Sequence, residues 1–202
     1  MAVSTRNVTR VFREATPAER EEGRNWYARA HAVAETLAIV HGVTAEQAIG
    51  VLAALSPQKG WGPNVDLAER SLEAGKGIGH TGNNNDKVTA ILAGADPLAV
   101  LGGDKVRAFY ALITSSGQSG EVCVDRHAYS VANGAVPEVT PGLRGAAYQR
   151  VAECYRRAAR ILSRELGRNI TPAEVQAVTW VAWRHRLRRE GAFDSHTVGV
   201  SQ

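Results

Sequence analysis

Lys105 and Asp125 stand twenty residues apart, each where a helix is expected to begin. Asp125 closes the apolar run Val122-Cys123-Val124 and is followed by Arg126 and His127, in the stretch EVCVDRHAYSVANG. A carboxylate at a helix start has one plain use: it caps the free N–H groups of the first turn, worth about 1 kcal/mol. It also has a chemical use. A carboxylate stabilises positive charge that develops on a substrate and orients or deprotonates an attacking water. Lys105, in LGGDKVRAFYAL, suits another route, in which a desolvated amine attacks an electrophilic carbon and leaves a Schiff base. Losing its proton requires burial or a neighbouring cation such as Arg107 or Arg126. The other reading of Lys105 is a phosphate-binding cation. His127 is expected to hydrogen-bond backbone near Asp125 rather than to move protons.

The stretch AIGVLAALSPQKGWGPNVDLA (48–68) gathers polar and aromatic residues at a second turn. Gln58 sits at the tip of a helix–turn, with Lys59 and Trp61 beside it. Trp61 reads equally as a core aromatic under the turn, and Asn64 can pin the turn through backbone groups. Gly102 and Gly103 make a tight turn ahead of Lys105. In TPAEVQAVTWVAWRHRLRREG, Trp180, Trp183 and Leu187 form a stripe read as core, while Gln176 and Arg184 project from a similar direction and can line a pocket.

Helices must carry all of these residues. TPAE at 16–19 and 171–174, and TAEQ at 44–47, are capping boxes, two with proline at the first helical position. They predict helices over 17–41, 44–56 and 171–190. Shorter helices are expected over 63–74, 85–94, 96–103, 104–116 and 124–134. A long amphipathic helix is expected over 145–167, with Val151, Cys154, Tyr155, Ala158, Ile161, Leu162 and Leu166 on its inner face. No sustained alternation of two residues predicts strands. The expected class is all-α.

LSPQ with Asn64, the glycine turn before Lys105, and Val124-Asp125-Arg126-His127, taken in that order, resemble the helix-hairpin-helix DNA glycosylase superfamily related to endonuclease III. The similarity covers roughly 44–134 and looks closest to small bacteriophage-encoded glycosylase-like proteins. Two departures are visible: LGGDK is two residues shorter than the family's Leu-Pro-Gly-x-Gly hairpin, and the iron–sulfur cysteines of endonuclease III are missing. The resemblance implies a two-lobed helical fold with the active-site cleft between lobes. Residues 44–134 would form the helix-hairpin-helix core lobe, and 1–43 with 135–202 the flanking lobe. It implies Asp125 as catalytic carboxylate and Lys105 as the nucleophile of bifunctional members. It also implies DNA as partner and a base flipped out of the duplex at a cost of roughly a few kcal/mol, with Gln58 filling the gap. The aspartate would stabilise the charge that builds on the sugar as the N-glycosidic bond breaks. The lysine would attack C1′ and leave a Schiff base that permits strand cleavage, and no metal or organic cofactor would be needed.

Charge agrees with a polyanionic partner. The net charge is only +4, but from Arg144 to Glu190 eleven arginines face four glutamates. The 202 residues suit one packed domain or two small lobes, with 44% hydrophobic residues. No long apolar run predicts a membrane helix and no secretion signal opens the chain. The two cysteines are too few for a thiolate metal site. A monomer in the cytoplasm, that of the host for a phage protein, is expected. Two other functions fit the same residues: thymine hypermodification at the exocyclic group of a flipped base, and a DNA-binding module without catalysis.

Overall fold

The computed structural model describes residues 3–139 and 141–191, and every regular element among them is helical. In chain order these are α1 (Thr5–Glu14), α2 (Pro17–Arg24), α3 (Trp26–His41), α4 (Ala45–Leu55), α5 (Trp61–Glu73), α6 (Gly82–Leu92), α7 (Pro97–Val100), α8 (Asp104–Thr114), α9 (Arg126–Asn133), α10 (Gly145–Leu166) and α11 (Pro172–Arg189). The expected caps are formed: Thr16 with Glu19 and Thr44 with Gln47 make complete capping boxes, and the Thr171 side chain accepts from the Glu174 N–H. α1 carries no such box, only Ser4 accepting from the Asn7 N–H, and the sequence did not announce it.

The helix expected over 17–41 is two helices. The chain turns at Asn25, between α2 and α3. Before the turn, Gly23 seats α2 directly on the α11 backbone: a Cβ there would sit 2.4 Å from the Val178 Cα. Turning at Asn25 sends α3 into a different core.

Two hydrophobic cores result. The first surrounds α4, whose residues Ala48 to Leu55 are all buried, and is built from α3, α5, α6 and α8. The second joins α1, α9, α10 and the inner face of α11 through Val8, Phe12, Val131, Tyr155 and Leu162. The first core thus begins at α3 rather than at residue 44, and α9 belongs to the second core rather than the first. α11 serves both: Ala173 and Ala177 face the first core, and Val175, Val178, Ala182 and Trp183 face the second. On α10 the expected inner face stops early, since Leu166 is exposed and the buried stripe is completed at its other end by Tyr148. Cys123 and Cys154 are buried free thiols. Among the described residues, no single helix is long and apolar enough to cross a membrane.

Candidate functional site

The two cores meet at residues 122–125, an extended segment without a sheet. Successive side chains of extended backbone point to opposite sides. Val122 and Val124 enter the second core and Cys123 enters the first. The backbone groups such a segment would give a neighbouring strand are met by one side chain. The Tyr148 hydroxyl donates to the Val122 carbonyl at 2.6 Å and accepts from the Val124 N–H at 3.0 Å. A second buried tyrosine, Tyr155, donates to the Ala128 carbonyl at 2.8 Å and holds the following helix.

Asp125 emerges from this frame as the N-cap of α9. Its Oδ1 accepts from the Ala128 N–H at 2.7 Å, so the capping use is real. Its Oδ2 accepts from the Trp180 Nε1–H at 2.9 Å. Lys105 is the second residue of α8, behind Gly103 at φ 81. The Cys123 thiol donates weakly to the Lys105 carbonyl at 3.9 Å. Burial pushes that thiol up to about 12, the Lys105 charge opposing and the Asp125 charge adding to the rise. Cys123 therefore stays protonated and is no nucleophile. Lys105 stands on α8 of the first core, and Asp125 heads α9 of the second. Both are half-buried, as are Arg126 and His127.

An aromatic cluster borders the carboxylate. The Trp26 ring lies 5.2 Å from Trp61, 6.0 Å from Phe109 and 6.1 Å from Trp180, mostly edge to face. The Arg184 guanidinium covers the Trp180 face at 4.3 Å, and the His127 ring meets its edge at 6.4 Å. Three of the four tryptophans thus converge here, each only half-buried. The expected Trp180–Trp183 stripe is split. Trp183 and Leu187 pack in the second core as expected, but Trp180 faces Asp125. Gln176 is corrected too. It is 5% exposed, its Oε1 accepts from the Tyr27 hydroxyl at 2.7 Å, and it ties α3 to α11 instead of lining an open pocket. Burial pushes the Tyr27 phenol well up, with Cys123 and Asp125 adding to it, so it remains a donor.

The turn before α5 is braced from beneath. Asn64 donates to the Leu52 carbonyl at 3.0 Å, as the sequence led one to expect, and the Lys59 N–H bonds the Ser56 carbonyl. His80 bonds the Pro57 carbonyl at 3.0 Å through Nε2. Its Nδ1 accepts from the Thr81 N–H, which places the ring proton on Nε2. Above these ties Gln58 is exposed at φ 61, a left-handed conformation a glutamine adopts at a cost of roughly 1–2 kcal/mol. Lys59 is exposed beside it, and Trp61 turns back to Trp26 and Phe109. In the other turn, Gly102 and Gly103 are exposed, and a Cβ on Gly102 would lie 3.9 Å from the Lys87 amine. Arg107 is occupied with the Leu98 carbonyl at 2.7 Å, which joins α7 to α8.

The family model for DUF7178, described as a family of unknown function, matches residues 1–187. The chain belongs to DUF7178. No curated protein and no solved structure matches it. The matched span takes in both cores and all of the residues above.

Within this DUF7178 chain, sequence reasoning missed Trp26, Tyr27, Phe109, Trp180 and Lys87 as parts of the site. One signal was present. Trp26 follows directly on the polar stretch EREEGRN (19–25), where no apolar periodicity asks for an indole. Among the described residues, no group of three or more His, Cys, Asp or Glu side chains is placed to hold a metal ion.

Proposed function

We propose that this protein is a DNA-binding, base-flipping enzyme, a glycosylase that cleaves the N-glycosidic bond of a modified or damaged base. The observation that supports it most is the placement of Asp125. It stands where the two cores meet, half-buried, hydrogen-bonded to Trp180 and bordered by Trp26 and Trp61. Indole rings give a flipped base apolar surfaces to rest on. A carboxylate held by two N–H donors is oriented toward a forming sugar cation without reorganising. In this reading the cores are the two lobes and the cleft opens at Asp125, where the buried 122–124 segment ends. Lys105 supplies a second route to C1′ or a phosphate contact. The glycine turn with Lys87 and the braced turn bearing Gln58 and Lys59 grip the strand, Gln58 taking the place of the displaced base. Arg126 and Arg184 add positive charge at the site.

A second reading also has an observation in its favour. Both Asp125 oxygens already have protein donors, as a purely structural cap requires. The same frame would then serve as a DNA-binding module. The test is incubation of the full chain with DNA carrying modified and damaged bases, followed by mass spectrometry of free bases and nucleosides, with Asp125→Asn alongside. Free base released by the parent and not by the variant is expected. An intact nucleoside altered at its exocyclic group would mean hypermodification chemistry instead. No change in any substrate, with DNA binding retained, would leave the binding module.

A further inference from the structure

We propose that the open groove between α10 and the start of α11 is a second nucleic-acid contact, in which one strand lays its phosphates along Arg160 and Arg164 and enters past Arg156. These three arginines line the groove, and no carboxylate lines it with them. They sit four residues apart on one helix, so successive guanidinium stems are about 6 Å apart along its axis. That spacing is comparable with the separation of successive phosphates on one nucleic-acid strand. Ala159, Ile170 and Pro172 give the groove an apolar floor on which sugars can rest.

The local acids are shared with the row and its neighbours, and Glu121 reaches Arg156 at 3.8 Å. Glu165, next to Arg164, pairs with Arg13 of α1 at 2.6 Å. Glu153 lies at the N-terminal end of the row and pairs with both Arg157 and Arg160. Arg164 is exposed, its Nε bonds the Arg160 carbonyl, and among the described residues no carboxylate pairs with it. Positive charge therefore grows toward the α11 end of the groove. Arg156 is held at the other end by the Gly120 carbonyl at 3.2 Å. Gly120 also lines the groove, and the chain running from it reaches Asp125 in five residues, a span of at most about 17 Å. The groove stands on its own charge and shape: strand binding without base release would leave it intact while removing the glycosylase reading.

The test uses the full chain, with fluorescein-labelled single-stranded and duplex oligonucleotides of mixed sequence, titrated over a series of salt concentrations. Arg160→Ala with Arg164→Ala should lower the slope of log affinity against log salt by about 1.8 on duplex and about 1.4 on single strands. Between about 50 and 200 mM salt the double variant should then lose about 12-fold less duplex affinity than the parent does. The larger effect relative to parent on one form identifies which strand form the groove takes. Arg70→Ala with Lys76→Ala, an equal charge change at exposed positions in the last turn of α5 and just after it, should leave the slope within experimental scatter. An unchanged slope in the groove variant, an equal drop in the control pair, or no binding of either form by the parent would each overturn the proposal. So would polyglutamate displacing the label as well as unlabelled oligonucleotide does, since that would mark an acidic protein as the partner.

Discussion

The bond between Asp125 and Trp180 can be weighed on its own. Asp125→Ala removes two contacts, the cap on the Ala128 N–H and the indole bond. Trp180→Phe removes the indole bond and leaves the cap. In a cycle of Asp125→Ala, Trp180→Phe and the double variant, the cap is lost in both variants that carry Ala at 125, so it cancels. The lost indole bulk and the weakened Arg184 contact cancel in the same way. What remains is the coupling between carboxylate and N–H. A hydrogen bond to a charged group contributes about 1.5–3 kcal/mol. Both partners are half-buried, which places the expected coupling at the lower end, about 1.5–2 kcal/mol. Asp125→Ala alone should cost that amount plus about 1 kcal/mol for the cap. Urea unfolding of the four proteins, with coincident fluorescence and circular dichroism transitions, measures the cycle. A coupling under about 0.5 kcal/mol would mean that Trp180 does not hold the carboxylate, and the argument for an oriented Asp125 would fail with it.

Three further outcomes follow from other parts of the fold. Burial raises the Glu19 carboxyl, but the Thr16 N–H and His185 outweigh that and hold it below its ordinary value of 4.5. Its stabilising contribution is therefore complete above that value and is lost as pH falls through the lower folded one, so Glu19→Gln should flatten the acid limb of a stability–pH curve. Gly23→Ala forces a methyl group to within 2.4 Å of the Val178 backbone and should cost about 3 kcal/mol, read as a lower urea midpoint; a neutral result would contradict the close seating of α2 on α11. Gln58→Gly relieves a left-handed side-chain residue and should raise stability by about 0.5–1 kcal/mol in thermal melts, while slowing any base release that depends on the glutamine.

Capping chemistry was the most legible part of the chain. Threonine, proline and glutamate at set spacings name a helix start whatever the tertiary context, and Thr16, Thr44 and Thr171 all cap as expected. The break at Asn25 was hidden because no proline marks it, and the seating of Gly23 on Val178, 155 residues away in the chain, was hidden because nothing local announces it. The Asp125 cap could be read from its own segment. Its second bond could not, because helical spacing puts Trp180 and Trp183 on one broad face and does not say that two different cores divide that face. Gln176 misled for the same reason: a polar residue among apolar ones looks like a pocket wall until its partner, Tyr27, is found on another helix. Periodicity tells which residues turn inward; where two interiors meet, it does not tell which of the two each one enters.

That junction also limits what lengths the chain can tolerate. Residues 122–124 send alternate side chains to opposite sides, with a thiol one way and two valines the other. Inserting or deleting a single residue there would exchange every side chain between the two interiors and turn the aspartate away from its indole. Point changes of similar volume can be absorbed in this stretch, but a shift in frame cannot.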